Sequence, residues 1–208
     1  DAGYYTAHIG KWHLGNAYGM DPLSQGFQDS LEMVGPLYLP EDHPDVVNAK
    51  FDTRIDRMIW GIGQYSARFN GGDLFAPDKY LTDYYTDEAL KVIENNKNRP
   101  FFLYLSHWAI HNPLQALRSD VQQMSHMHGH NLQVYSGMIA ALDRSVGKVI
   151  EKLKDLDIHG KTLIIFTSDN GGANYIELDD INKPFRGWKI SFFEGGIRVP
   201  FIVSWPDE

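Results

Sequence analysis

The strongest constraint on the fold is a long amphipathic segment, residues 132–156, that lies between two short apolar runs. The runs, residues 101–105 and 162–167, are continuous rather than alternating, as in strands buried on both faces of a parallel sheet. Strand, helix and strand in this order predict an α/β layered fold. The helix is predicted from apolar residues that recur every three or four positions on one face: Tyr135, Met138, Ile139, Leu142, Val146, Val149, Ile150 and Leu153.

Further elements follow from the same patterns. Residues 82–96 show helical spacing, and residues 4–9, 26–33 and 197–203 are short apolar runs that predict strands. Residues 34–80 contain many prolines and glycines without any period, so we predict a long loop-rich insertion, a kind of segment that is usually functional. The expected fold class is α/β, with a mixed, largely parallel sheet flanked by helices.

Charge and composition limit the classes of ligand. A net charge of −8 disfavours nucleic acid, and an anionic substrate would have to be attracted by a local cluster of Lys, His and metal. The absence of cysteine excludes disulfides and thiolate metal sites. No apolar run is long enough to span a membrane, and no Asn-x-Ser/Thr acceptor for an N-glycan is present.

A candidate metal site follows the apolar run at residues 162–167. Asp169 and Asn170 supply two hard oxygen ligands, which suit Ca²⁺ or Mg²⁺, and the two glycines after them allow backbone to approach an ion closely. Because Asp, Asn and Gly also favour turns, the same residues are also compatible with a turn that binds nothing.

Candidate anion-binding residues lie in three other segments. Lys11 and His13, at i and i+2, point the same way in extended backbone and suit a tetrahedral oxyanion. His111 follows a predicted strand, where it can donate to an anion or act as acid or base. Lys189 is a further possible donor. Each of these residues, taken alone, is also compatible with an exposed loop position.

Three other features are interpreted as structural or solvent-exposed. The alternating histidines in residues 126–130 have a spacing compatible with zinc but are read as a loop before the long helix. Gly-Ile-Gly at residues 61–63 lacks the strand and helix that a nucleotide-binding loop requires. Asp179 and Asp180 follow no predicted strand.

Together the motifs resemble the sulfatase family of the alkaline-phosphatase superfamily. Gly-Tyr-Tyr-Thr-Ala-His-Ile-Gly-Lys-Trp-His-Leu-Gly at residues 3–15 is similar to the family's second signature. It is followed in the family's order by His-Asn-Pro-Leu-Gln at 111–115, Phe-Thr-Ser-Asp-Asn-Gly-Gly at 166–172, Arg-Gly-Trp-Lys at 186–189 and Glu-Gly-Gly-Ile-Arg-Val-Pro at 194–200. The His-Asn-Pro-Leu-Gln stretch is most similar to the arylsulfatase B-like branch and to microbial polysaccharide sulfatases.

The resemblance implies a role for each candidate. Asp169 and Asn170 match two ligands of the family's Ca²⁺, with Mg²⁺ less expected. Lys11, His111 and Lys189 match groups that hold the sulfate oxygens and the leaving oxygen. A divalent ion with Lys and His donors would stabilise the charge that develops as a sulfate ester is cleaved.

The resemblance also implies a nucleophile that this sequence does not contain. His13 matches the histidine that contacts the family's formylglycine nucleophile and helps to release sulfate from it. Formylglycine is made from Cys or Ser in a Cys/Ser-x-Pro-x-Arg segment, and neither that segment nor the family's upstream Asp pair is present. We therefore expect residues 1–208 to form an incomplete sulfatase domain, its central and C-terminal part, inactive alone, with the upstream nucleophile segment and the C-terminal subdomain outside this sequence.

The implied function is the hydrolysis of sulfate monoesters, with a sulfated small molecule or polysaccharide as partner, in a periplasmic or secreted protein. Two alternatives stay open: a phosphatase or phosphodiesterase of the same superfamily, and a non-catalytic homologue that retains an anion pocket. We expect the six candidate residues to converge in space. Residues 34–80 are expected either to form part of the substrate cleft or to be a structural insertion; the residues that suggest a cleft are Tyr38, Arg54, Arg57, Trp60, Tyr65 and Arg68.

Overall fold

The computed structural model describes residues 2–15, 17–178 and 180–207. The described residues form nine strands and five α-helices, together with two 3₁₀ turns, Leu23–Gln25 and Asn174–Ile176. The elements in chain order are β1 (Tyr5–Gly10), β2 (Asp29–Met33), β3 (Val46–Ala49), α1 (Arg54–Ile62), β4 (Ala67–Phe69), β5 (Leu74–Phe75), α2 (Leu81–Asn96), β6 (Phe101–Ser106), β7 (Leu114–Leu117), α3 (Arg118–Gln123), α4 (His130–Asp155), β8 (Ile164–Thr167), α5 (Glu194–Ile197) and β9 (Phe201–Ser204).

The central sheet has the strand order β5-β4-β2-β1-β6. Strand β1 pairs in parallel with β2 on one side and with β6 on the other, while β4 and β5 add antiparallel strands at one edge. Helix α2 packs on β1 and β6, and α4 packs on α2 and on β7. The predicted mixed sheet flanked by helices is confirmed. No helix in the described ranges is long and apolar enough to cross a membrane.

Helix α4 forms where the apolar period predicted it, but its buried face is rotated. Val134, Met138 and Ala141 are buried, whereas Ile139, which was predicted on the buried face, is exposed. The buried face also includes Gly137, where an added Cβ would lie 3.1 Å from the Cβ of Ala116 on β7. Small residues therefore let the helix and β7 approach closely, and this close approach selects the face that is buried.

Strands β8 and β9 differ from the sequence prediction. They pair with each other in antiparallel orientation as a separate two-stranded sheet, and both are largely exposed in the described structure. The prediction that residues 162–167 and 197–203 are buried strands is therefore wrong here; the start of the second is also displaced, because residues 194–197 form α5. Similarly, β6 has one open face, on which Phe102 and Tyr104 are exposed. An apolar run encodes strand formation without specifying a partner or a direction.

Residues 34–80 are more ordered than predicted. They contain β3, α1, β4 and β5, and β3 pairs with β7. Tyr38 and Trp60, which were considered as cleft residues, are buried in the core, so their rings cannot stack on a sugar. Arg68 is ion-paired with the buried Glu32 of β2. For these side chains the alternative, a structural insertion, is correct.

The remaining features that were interpreted as structural have local explanations. Gly63 ends α1 in the left-handed conformation, so the Gly-Ile-Gly stretch closes a helix. His130 begins α4 and its Nε2 lies 2.8 Å from the carbonyl oxygen of Asn48. Asp180 is exposed and pairs with Lys183, whereas Asp179 lies outside the described residues.

Candidate functional site

The site lies at the carboxyl ends of two neighbouring parallel strands, where α/β sheets place their functional side chains. Lys11 directly follows β1, and its backbone is fixed by Ser106 at the end of β6. The Lys11 N–H donates to the carbonyl of Ser106 at 2.8 Å, and the Ser106 hydroxyl donates to the carbonyl of Lys11 at 2.7 Å. Gly10 is required between them, since its φ is +117° and an added Cβ would lie 2.0 Å from the oxygen of Ser106.

Lys11 reaches from the sheet to the turn that follows β8. Its Nζ lies 3.1 Å from Asp169 Oδ2 and 5.5 Å from the centroid of the Trp108 ring. Burial on its own would raise the pKa of Asp169, but the hydrogen bond from Lys11 and the charges of Lys11 and Lys189 together lower it. Asp169 is therefore a carboxylate at neutral pH.

His111 and Lys189 form the second half of the site. Lys189 Nζ lies 2.9 Å from His111 Nε2, and His111 Nδ1 lies 2.6 Å from the carbonyl oxygen of Asn112. A carbonyl only accepts, so Nδ1 carries the hydrogen and Nε2 accepts from the ammonium group of Lys189. Burial lowers the pKa of His111 to about 4, and the positive charges of Lys189 and Lys11 act in the same direction. The imidazole is neutral at pH 7.

The two halves are coupled electrostatically. Burial lowers the pKa of Lys189, the charge of Lys11 lowers it further, and Asp169 opposes the shift. Two cations, one carboxylate and one neutral imidazole thus share a single site. An anion bound here would relieve the repulsion between the two ammonium groups.

A side chain that the sequence did not indicate joins the Asp169 turn to the Lys189 segment. Asn182 Oδ1 accepts from the Gly172 N–H at 2.8 Å, and its Nδ2 donates to the carbonyls of Gly172 at 2.9 Å and Gly187 at 3.3 Å. The Lys189 N–H also donates to the Gly172 carbonyl at 3.1 Å. Asn182 lies in a polar stretch with no motif around it, so no pattern in the sequence identifies it.

For two predicted residues the described structure shows no side-chain contact with this cluster. His13 is exposed and makes no side-chain hydrogen bond or ion pair with the described residues. Asn170 follows Asp169 directly, and its Nδ2 donates to the Gly171 carbonyl at 2.9 Å, which leaves Oδ1 available to a ligand. The roles suggested for His13 and Asn170 stay predictions.

The donor set fits a hard cation in part. Asp169 and Asn170 offer adjacent oxygen ligands, and the Asp169 side chain is 67% exposed. The described ranges contain no group of three or more His, Asp or Glu side chains that could complete a shell. Ca²⁺ takes six to eight oxygens, so further ligands would have to come from outside these residues.

Comparison with known proteins gives a consistent result. The sulfatase family model matches residues 1–208. N-acetylgalactosamine-6-sulfatase from Canis lupus familiaris is 34% identical over 210 residues, and the human protein of that name is 33% identical over 208. Each match covers 99% of this chain but only 38% of the relative, so the chain spans well under half the length of these relatives.

Solved structures agree on the fold. The crystal structure of Ps i-CgsB in complex with k-i-k-neocarrahexaose is 31% identical to this chain with a TM-score of 0.82, covering 98% of this chain and 45% of that one. PsFucS1 sulfatase from Pseudoalteromonas sp. is 26% identical with a TM-score of 0.67, covering 98% and 42%. Both superpositions extend over almost all of this chain.

Proposed function

The chain belongs to the sulfatase family, and on that premise we propose that it forms part of an enzyme that hydrolyses sulfate monoesters on a carbohydrate. The observation that carries the proposal is the convergence of four side chains from four separate segments: Lys11, His111, Asp169 and Lys189. These side chains are far apart in sequence, and a shared anionic ligand would explain why they lie together in the structure.

The two lysines would bind the sulfuryl oxygens. In the structure Lys11 is paired with Asp169 and Lys189 with neutral His111. A bound sulfate ester would take over these ammonium groups and neutralise their mutual repulsion. Because such donors are already fixed before substrate binds, they stabilise developing charge without reorganisation.

His111 would act on the leaving oxygen. Its Nε2 faces the ammonium group of Lys189, and a bound anion would raise the imidazole pKa, so that the ring takes up a proton from solvent while Lys189 stays charged. The protonated ring then donates to the oxygen that leaves with the sugar. General acid catalysis of this kind contributes typically 10²–10⁴-fold, so about two to four orders of magnitude are assigned to His111.

Asp169 and Asn170 would hold a Ca²⁺ ion together with ligands from outside these residues. The bound ion would supply positive charge at the sulfuryl oxygens. The nucleophile would be a formylglycine, with His13 beside it, and the residue that becomes formylglycine is not among the 208, which contain no cysteine and no Ser-x-Pro-x-Arg. On their own, these residues are therefore expected to hydrolyse no sulfate ester.

The carbohydrate part of the proposal is supported by the relatives. The curated matches include N-acetylgalactosamine-6-sulfatase, and Ps i-CgsB was crystallised with k-i-k-neocarrahexaose.

The test uses the full-length protein with its formylglycine formed. An aryl sulfate, a panel of sulfated oligosaccharides and the matching phosphate esters are assayed with and without a Ca²⁺-selective chelator. Turnover of sulfate esters that is lost with chelator and restored by Ca²⁺ is the expected result. A preference for phosphate esters with dependence on zinc would support a phosphatase instead, and anion binding without turnover would support a non-catalytic homologue.

A further inference from the structure

We propose that Tyr38 and Trp108 are positioning residues that hold the imidazole ring of His111 with its Nε2 facing Lys189. The inference rests on the proposed function, in which His111 contacts the substrate. It also gives Tyr38 a different role from the one its aromatic character suggested, because the ring supports the site from inside the core.

Tyr38 holds the loop that carries His111. It is 0% exposed, and its hydroxyl lies 2.9 Å from the carbonyl oxygen of Trp108 and 2.8 Å from that of His111. The hydroxyl hydrogen can therefore bond to either of two carbonyl oxygens, which lie at the two ends of one turn. The turn is closed by the His111 N–H, which donates to the Trp108 carbonyl at 2.9 Å. Burial raises the pKa of Tyr38 well above its ordinary value, so the hydroxyl remains a donor.

The Tyr38 ring is itself fixed. Its backbone N–H donates to Gln115 Oε1 at 2.8 Å, and the ring stacks on Tyr80 with centroids 5.4 Å apart. Tyr80 donates in turn to the Gln115 carbonyl at 2.8 Å. A hydroxyl held this firmly defines where the two loop carbonyls lie.

Trp108 restrains the imidazole of His111 by stacking on one face of that ring. The two rings are stacked, with centroids 3.8 Å apart and planes inclined by 23°. The indole N–H donates to the Pro36 carbonyl at 2.9 Å, so the same segment that supplies Tyr38 also anchors Trp108. The ammonium nitrogen of Lys11 lies 5.5 Å from the centroid of the same Trp108 ring. The Trp108 indole therefore lies against both Lys11, which is proposed to bind sulfate, and His111, which is the proposed acid.

These contacts set the tautomer of His111. With the ring held, Nδ1–H faces the Asn112 carbonyl and the Nε2 lone pair faces Lys189. A freely solvated imidazole prefers the opposite tautomer, with the hydrogen on Nε2. Loss of the Tyr38 or Trp108 contacts should therefore shift His111 toward the Nε2–H form and move it away from the leaving oxygen.

The experiment measures ¹⁵N signals of histidine side chains in the full-length protein at pH 7.5, with His111 assigned by loss of its signals in His111→Gln. Tyr38→Phe removes only the hydroxyl, and Trp108→Leu removes the stacked ring. Trp108→Phe retains a ring but loses the bond to Pro36. Tyr5→Phe is the control, since it removes a tyrosine hydroxyl bond, to Asp29, at the opposite end of β1 from Lys11 and away from the His111 turn.

Tyr38→Phe and Trp108→Leu are expected to shift His111 toward the Nε2–H signature and to lower kcat for a sulfate ester roughly tenfold to a hundredfold, with a smaller change in KM. Trp108→Phe should be intermediate and Tyr5→Phe should match wild type. Folded Tyr38→Phe and Trp108→Phe variants that keep the wild-type His111 signals would overturn the proposal. A protein that hydrolyses no sulfate ester but shows the expected ¹⁵N shifts would support the positioning role and reject only the assigned reaction.

Discussion

Lys11 and Asp169 are 158 positions apart in the sequence, yet Lys11 Nζ lies 3.1 Å from Asp169 Oδ2. The pair is asymmetric, because the lysine side chain is 17% exposed and the carboxylate 67%. The protein thus holds the cation and presents the carboxylate outward. A divalent ion at Asp169 would compete for this carboxylate and free the ammonium group for an anionic substrate.

Replacing Lys11 should therefore abolish most of the activity. We expect Lys11→Ala in the full-length protein to lower kcat/KM for a sulfate ester by roughly 10²–10³-fold, the effect of removing one donor to developing negative charge. Lys11→Arg should restore little, since a planar guanidinium does not fit a site built for an ammonium point charge.

Lys50→Ala is the matched control for the loss of a lysine. Lys50 lies over the Trp60 ring at 4.6 Å and pairs with Glu41, both outside the proposed site. Wild-type kcat/KM in Lys11→Ala, measured under subsaturating substrate, would contradict the role given to this residue.

Asn182 offers a second test, because it bridges the two segments that carry Asp169 and Lys189. Asn182→Ala should leave Gly172 without its side-chain partners and let the turn move relative to Lys189. A displacement of about 1 Å can cost roughly a hundredfold in rate, so we expect kcat to fall by about ten- to a hundredfold. Calcium affinity, measured by calorimetry, should weaken as well.

Asn96→Ala provides the comparison for Asn182. Asn96 is buried where Asn182 is half-buried, and it too uses both amide atoms, donating to Val92 and accepting from Arg99 at the end of α2. Both variants should lose stability to a similar extent, but only Asn182→Ala should change calcium affinity and kcat. Equal kinetic effects in the two would show that Asn182 is merely structural.

The residues that form the cluster were easier to predict from the sequence than the residues that support it. Lys11, His111, Asp169 and Lys189 lie in motifs of special residue types, and the structure brings these four into one cluster. Tyr38, Trp108 and Asn182 act on backbone carbonyls and amides. Every residue possesses such groups, so no local pattern marks the side chains that bind them.

In the fold, too, features set by local sequence were predicted and features set by contacts between distant residues were not. The period of α4 and the apolar runs of β1 and β6 predicted elements correctly, because burial of one face is a local property of sequence. The antiparallel pairing of β8 with β9 was not predicted, because pairing direction depends on the rest of the chain. The rotation of α4 about its axis depends on Gly137 meeting Ala116, a contact between distant residues.

Replacing Arg144 should destabilise the fold, because Arg144 pairs with a buried carboxylate. From α4 it donates to both oxygens of Asp120 at 2.8 and 3.0 Å and to both oxygens of Asp83 at 3.3 Å. Asp120 is 2% exposed. Arg144→Met would leave a buried carboxylate without its partner, and we expect the free energy of unfolding to fall by about 3 kcal/mol. Arg198→Met removes an exposed pair with Glu194 and should cost less than about 1 kcal/mol in the same denaturant titration.

His107 should make stability depend on pH. Burial lowers its pKa from 6.5 to about 4, and its Nε2 lies 2.8 Å from the hydroxyl of Ser145. In the unfolded chain the ring takes up a proton as the pH falls through 6.5, whereas in the folded protein it stays neutral until about pH 4. The unfolded state therefore binds more protons between these values, and the free energy of unfolding should fall by up to about 3 kcal/mol across this window and be fully retained above it.

His107→Gln tests this pH dependence, because glutamine can still bond to Ser145 but does not titrate. His111, whose pKa is also lowered to about 4, contributes in the same direction in both proteins, so the comparison isolates His107. Between pH 7 and pH 5 the variant should lose about 1–2 kcal/mol less unfolding free energy than wild type, measured by urea titration at each pH. The exposed His126→Gln variant controls for the loss of a histidine. An identical pH slope in wild type and His107→Gln would mean that His107 already takes up its proton in the folded state near its ordinary pKa.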